Sequence, residues 1–366
     1  MFATLRRVAD QFLGRGHAAI TVPVMDGKLL PNRVLDQAEL VAELPDIDDL
    51  AGDGRTLWAS AGPVLWRLEE ATLVEVRRFD ADISALAIQA SGRLALALAG
   101  REILVFDADP TGATPVARLT EMAGQPLHCV NALAFDAQGR LLLSDGSTRH
   151  APPQWSHDLM ALGQSGRVGR WDIGADKTEL IAHNLAYAFG VLASTGDSVL
   201  FSESWRHQVL RAGAAQPMVA ELPGYPSRMT PAAGGGFWLS CFVCRTQLVE
   251  FVLREPAYRQ RMVAEIDPRY WIAPALSSGQ SFLEPIQGAR VKNMGVMKPW
   301  APPRSYGLVL RVGEDGRILR SLHSQVDGRH HGITALVEHG GALYAASKGS
   351  GRLLRVALNE TAKEPS

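Results

Sequence analysis

Three acidic residues that close or follow apolar runs are the chain's first candidates for chemistry. Asp145 ends LLLSD, Glu203 ends VLFSE, and Glu338 stands with His339 before a double glycine in VEHGG. A carboxylate in an apolar pocket can move protons, because burial raises its pKa toward neutrality. Each also has a plainer role open to it. Asp145 precedes a Ser-Thr step and can cap that turn through backbone amides. Glu203 can pair with Arg206 or Arg211, and Glu338 can hold turn amides. Histidines gather late, at His323, His330, His331 and His339, with His150, His157 and His207 earlier. Neighbours on a strand face opposite ways, so at most one of His330 and His331 points inward. Cys241 and Cys244 have CxxC spacing, but they continue the apolar run FWLS and no second pair completes a zinc site. They read as structural. With Cys129 the count is three, which argues against a disulfide framework.

These residues hang on a repeat. A small or polar residue, a glycine and then an apolar strand ending in Ala, Ser or Asp recur six times. The copies are AGDGRTLWAS (51–60), QASGRLALALAG (89–100), DAQGRLLLSDG (136–146), ASTGDSVLFSES (193–204), AAGGGFWLSC (232–241) and EHGGALYAASKG (338–349). Most gaps between the glycines are about 40 to 57 residues, one four-stranded propeller blade. The last gap is about twice that and must hold an insertion. A second strand follows most copies, at VLWRL (64–68), EILVFD (102–107), RVGRWD (167–172), HQVLRAG (207–213) and LVEFVL (248–253). GLVLRV (307–312) and GRLLRV (351–356) do the same at the far end.

The expected fold is all-β: one six-bladed β-propeller over 21–358, with a helical segment at 1–20 and a tail at 359–366. The insertion at 254–304 opens with REPAYRQRMVAEI, which can form a helix. It then carries Trp271, Phe282, Met294, Met297 and Trp300, unusually apolar for a loop. It reads either as a lid over one face of the ring or as a segment packed on the outer strands. The connection at 147–168 should rise above the same face as Asp145. Net charge is −1 and no basic stripe points to nucleic acid. The N-terminal MFATLRRVADQFLG lacks the apolar run of a signal peptide, and no membrane-spanning segment is evident, so a cytoplasmic location is expected.

Several motifs in register carry a family resemblance. LLLSDGSTRHAPPQWSHDLMALGQSGRVGRWD (141–172) resembles the strictosidine synthase signature. VLFSESWRHQVLR (199–211), ELPGYPSRM (221–229) with GGFWLS, RSYGLVLRV (304–312) and ITALVEHGGALYAAS (333–347) resemble its later blades in the right order. The resemblance runs from about residue 40 to 358. It implies a six-bladed propeller related to gluconolactonase and paraoxonase lactonases. In the metal-dependent relatives a calcium ion sits at the ring centre on hard oxygen ligands. The corresponding positions here are Asp48, Asn131, Phe189 and Ser227-Arg228. Asp48 and Asn131 keep oxygen donors, while Arg228 would repel a cation.

No cofactor is therefore expected, with calcium a lesser alternative. The resemblance to strictosidine synthase implies a metal-independent small-molecule enzyme, with a glutamate as acid/base in amine–aldehyde condensation or related lyase chemistry. Glu338 matches that glutamate. Arg228, Asp145, Glu203, His339 and Trp205 are the expected substrate contacts, Arg228 either as an anion site or as a plug paired with Asp48 or Asp49. One alternative is a lactone or ester hydrolase with a remodelled metal site. Another is a noncatalytic propeller that binds a metabolite or a protein. A small-molecule substrate is the expected partner; the oligomeric state is open.

Overall fold

The structure is a computed structural model. It describes residues 22–278 and 305–358, with Glu284 and the paired strands Lys292–Asn293 and Val296–Met297 between them. The expected N-terminal helix, the tail at 359–366 and most of the insertion after residue 278 lie outside the described residues.

Six antiparallel sheets stand as blades around one axis. Their innermost strands are Ile47–Gly52, Ile83–Ile88, Val130–Phe135, Ala188–Ala193, Gly224–Pro231 and Ile333–His339. Each packs on the next, and the sixth packs on the first, which closes the ring. The outer strand of the sixth blade is Glu39–Glu43, from the start of the described chain, paired antiparallel with Arg352–Ala357. The ring is thus held shut by backbone hydrogen bonds between its two ends. The fourth blade has three strands plus a lone bridge from Val209 to Val219.

The recurring apolar run is the second strand of each blade. Neighbouring blades cover both its faces, so the run is apolar throughout rather than strictly alternating. Leu141–Asp145 and Ala342–Ser347 are buried at every position. Between the second and third blades, Ala85, Ala95 and Val105 pack against Leu133, Leu143 and Trp171. Fully burying a leucine such as Leu143 contributes roughly 1.5–3 kcal/mol.

All six repeated glycines, Gly54, Gly92, Gly139, Gly196, Gly235 and Gly341, have positive φ, between 68° and 91°. They turn the chain from the innermost strand into the second, in a backbone region that glycine enters without steric cost.

One expected strand is a helix. Residues 248–253 lie within the helix Gln247–Arg254, whose first turn is capped by Thr246 accepting from the Val249 amide. A six-residue apolar run fits either period, and the cap decides it. The third strand of the fifth blade is Gly307–Val312, paired with Phe237–Cys244. The insertion therefore begins at the end of Cys244. Its described part holds the helix Gln247–Arg254, then the expected helix as Pro256–Glu265, and a buried Trp271. No helix among the described residues is long and apolar enough to cross a membrane.

Candidate functional site

Each innermost strand breaks register near its start. Opposite the second strand, Asp48, Ser84, Asn131 and Thr334 are single unpaired residues, and Phe189-Gly190 and Ser227-Arg228 are unpaired pairs. A bulge places two residues against one and re-aims a side chain. Here it happens once per blade at one height, so the bulged residues meet at the axis. Second-strand serines hold the distortion. Ser60 Oγ accepts from Asp49 N at 3.0 Å, and Ser144 Oγ from Ala132 N at 3.1 Å. Ser202 Oγ accepts from Gly190 N and donates to Ser227 O on the next blade.

Arg228 fills the centre. Its Nε donates to Asn131 O at 2.9 Å, Nη1 to Asp48 O at 2.8 Å and Thr334 O at 3.4 Å, and Nη2 to Ser84 O at 2.7 Å and Asp48 Oδ2 at 3.2 Å. Asp49 Oδ2 lies 3.2 Å from Nε. The Phe189 ring, from the fourth blade, stands 5.3 Å from the guanidinium carbon. One side chain from the fifth blade thus touches the other five. Its five N–H donors have acceptors in fixed directions, which a guanidinium fork can serve and an ammonium cannot.

Above this plug lies a cavity of about 230 Å³. Its floor is the ring of bulged residues. Its walls are Trp155, Tyr187, Phe242, Pro152, Pro153 and Leu276, and Lys348 stands at the side. Trp155 comes from the connection at 147–168 and Leu276 from the insertion, so both long segments reach this face. Lys348 Nζ donates to Asp48 Oδ1 at 2.9 Å, and its side chain is 36% exposed. Burial pushes the Asp48 carboxyl up, but Lys348 and Arg228 outweigh it and hold it below its ordinary value. Asp49, beneath, is pushed up to about 6 by burial, against the pull of Arg228. The cavity floor and the layer beneath it therefore hold one carboxylate kept ionised and one whose pKa burial raises.

The family model for strictosidine synthase matches residues 131–216, which run from the third blade into the fourth. Protein STRICTOSIDINE SYNTHASE-LIKE 13 of Arabidopsis thaliana is 25% identical over 242 residues, covering 64% of this chain and 53% of that protein. The adipocyte plasma membrane-associated protein of Mus musculus is 24% identical over 366 residues, covering 92% of this chain and 81% of the relative. This chain is a six-bladed propeller that resembles strictosidine synthase-like proteins. It spans about half the length of several curated relatives, 53%, 54% and 46% in three of them. Among solved structures, a gluconolactonase from Xanthomonas campestris superposes with a TM-score of 0.57 at 16% identity, covering 92% of this chain and 94% of that one. A regucalcin from Agrobacterium tumefaciens gives 0.52 at 11%, covering 87% and 92%. At these identities the likeness is one of fold.

In this ring the axial residues do not fit a divalent cation. The guanidinium occupies the space, and the oxygens a hard cation needs already accept its hydrogen bonds. Phe189 adds a ring where an oxygen donor would stand. Among the described residues no three His, Cys, Asp or Glu side chains gather as a metal site.

The expected site residues divide. Arg228, Asp48 and Asn131 meet at the cavity floor. Trp205 stands one layer behind, stacked on Tyr187 with ring centroids 4.4 Å apart. Asp145 and Glu203 do not line the cavity. They sit on second strands, one layer out from the axis, and both are buried in structural contacts. Asp145 accepts from Cys129 N and pairs with Arg167 at 2.8 Å. Glu203 accepts from Ala186 N, Arg206 and Gln208, each at 2.6 Å. Glu338 lies four residues past Thr334 on the same strand, about 13 Å toward the opposite face. Its carboxylate accepts from the Trp238 indole and from Ala233 N at 2.9 Å. His339 stands beside it, edge-on to Tyr344. All three cysteines are buried, and burial pushes their thiols up, away from a reactive thiolate.

Lys348, Trp155, Tyr187 and Phe242 were not among the residues picked out in sequence. Lys348 had a signal: it directly follows the sixth repeat's strand, in AASKG.

Proposed function

We propose that this chain is a metal-independent small-molecule enzyme whose reaction centres on a carbonyl group held in the axial cavity. The observation that carries this is the Lys348–Asp48 pair at 2.9 Å beside aromatic walls. The apolar body of the substrate packs on Trp155, Tyr187 and Phe242. The Lys348 ammonium donates to the carbonyl oxygen and stabilises charge developing there. Asp48, beside it, takes the proton shed by the attacking amine or water. Amine–aldehyde condensation and lactone or ester hydrolysis both begin with this addition. The likeness to strictosidine synthase-like proteins favours the first, and the gluconolactonase fold is compatible with the second. Asp48 here takes the acid/base part that the family resemblance assigned to Glu338.

The test is turnover of amine–aldehyde pairs and of lactones and aryl esters, with and without a chelator. Activity that survives chelation and falls at least ~100-fold in Lys348→Met supports the proposal. Activity restored only by added calcium sinks it.

A noncatalytic reading has one observation in its favour. Every N–H of Arg228 and both oxygens of Asp48 already have partners. Saturable binding of a panel compound without turnover selects it.

A further inference from the structure

The described ends of the insertion are joined to the last blade by a hydrogen-bonded chain outside the axial chemistry. His331 Nε2 lies 2.7 Å from the Gln325 carbonyl oxygen. A carbonyl only accepts, so Nε2 carries a proton, and in the neutral imidazole Nδ1 is then an acceptor. Ser305 Oγ lies 2.8 Å from Nδ1, so its hydroxyl donates there. Ser278 Oγ lies 2.6 Å from Ser305 Oγ and, with that proton already committed, donates to it. The direction of both O–H bonds is set by one backbone carbonyl.

Exposure is greatest at the Ser278 end of the chain. Ser305 and His331 are buried, 1% and 5% exposed, and Ser278 is half-buried. Ser278 stands two residues after Leu276, a wall of the axial cavity. The backbone there is fixed: the Leu276 carbonyl rests directly on Gly349 and Gly332, where a Cβ would collide with it. A half-buried serine hydroxyl is thus linked through a second serine to an oriented imidazole. A nucleophile, a base and a group that orients the base are the parts of an activated serine.

We propose that Ser278 is a nucleophile for acyl transfer, activated by His331 through Ser305. Ser278 Oγ attacks the acyl carbon of an ester or lactone. Its proton passes to Ser305 Oγ, whose own proton passes to His331 Nδ1. The bond to the leaving oxygen breaks as His331 Nδ1 returns the proton to Ser305 Oγ, whose own proton passes directly to that oxygen, since Ser278 Oγ is now acylated. Water then hydrolyses the acyl-serine with the relay again acting as base. Ser305 and His331 are positioning and relay residues; Ser278 alone touches the acyl group. The inference is separate from the carbonyl chemistry proposed at Lys348.

The experiment treats the full chain with an alkyl fluorophosphonate and maps the adduct by peptide mass spectrometry. A phosphonyl group on Ser278, absent in Ser278→Ala, is expected. Labelling slows by ~100-fold or more in Ser305→Ala and in His331→Gln, the usual scale of a lost general base. Ser305→Thr, which keeps the hydroxyl, restores most of the rate; a purely structural clip predicts no such rescue. Thermal midpoints separate lost activation from lost folding. Should Ser305→Ala not fold, the pH profile of wild-type labelling decides: the rate rises as an imidazole loses its proton. No adduct on Ser278, a rate unchanged in His331→Gln, or a flat profile overturns the inference. Turnover of the carbonyl panel without an adduct keeps the axial reading and removes the relay. An adduct without panel turnover does the reverse.

Discussion

The two ends of the innermost strands obey different rules. At the turn end, all six strands reach a glycine of positive φ and fold back, with little variation from blade to blade. At the cavity end, all six break register at the same height, yet the bulged residues differ: Asp48, Ser84, Asn131, Phe189, Arg228 and Thr334. One end is constrained by backbone conformation and tolerates almost one residue type. The other has a repeated backbone distortion that frees the side chain it displaces. A ring of this kind can keep its scaffold while changing its chemistry.

The largest expected effect comes from breaking the cavity end. Arg228→Ala removes five hydrogen bonds and leaves Asp48 and Asp49 without their shared cation. Leaving a buried charge uncompensated costs about 3–5 kcal/mol. Arg228→Lys should recover less than half of that, because a single ammonium cannot reach carbonyls on four blades. Urea unfolding measures both, and an Arg228→Ala chain as stable as the parent would remove the guanidinium from its role as hub.

The second effect is a pH dependence with opposite signs in two regions. Asp49 faces Arg228 and Asp48, and burial raises its folded-state pKa from 3.8 to about 6. The folded state then binds the proton more tightly than the unfolded one. Stability falls as pH rises from about 4 to 6 and is flat above. Glu250, on the helix Gln247–Arg254, faces His207, Arg245 and Tyr225. Burial pushes it up, but His207 and Arg245 outweigh that and hold it at about 2. Its contribution is present above about pH 4.5 and is lost as pH falls toward 2. Unfolding midpoints across this range should show the first slope vanish in Asp49→Asn and the second in Glu250→Gln. A slope that persists in its own variant breaks the assignment.

The same contrast explains what the sequence disclosed. Blade number and order were legible because the turn end repeats a residue type that the backbone demands. Arg228, Asp48 and Asn131 drew notice because they stand at the positions that the resemblance pairs with the metal ligands of its metal-dependent relatives. Asp145 and Glu203 end the repeated run, which is the second strand of its blade, so their carboxylates lie one layer out from the axis. Buried carboxylates there serve neighbouring amides and arginines. Trp155, Tyr187 and Phe242 come from a short helix, a bend and a strand interior whose facing is set only when the ring closes, so no local spacing marks them; Lys348 alone had a signal, its place after the sixth repeat's strand. Residues 248–253 misled because a run that short has no decisive period.

A smaller effect should come from the turn end. Gly54→Ala adds a methyl group with no atom within 4 Å, so its cost isolates the left-handed backbone, about 1 kcal/mol. Gly235→Ala meets the same backbone cost and also drives its Cβ against the Glu314 carboxyl group, so it should lose more. Equal losses at the two positions would show that the turns relax freely, against the constraint argued for this end.

The smallest effect sharpens the boundary between the two ends. Glu338 lies on a strand that begins at the cavity, but its carboxylate holds the Trp238 indole and the Ala233 amide near the turns. Glu338→Gln keeps one acceptor oxygen and loses the charge assistance. The net loss should be about 1 kcal/mol or less. Ligand binding in the axial cavity should not change, because the substitution leaves Thr334, Asp48 and Arg228 in place. Isothermal titration with a panel compound, paired with urea unfolding, reads both quantities on one protein. A weakened ligand at unchanged stability would mean that the acid/base group belongs on this strand's far end after all, and that the two ends are not chemically separate.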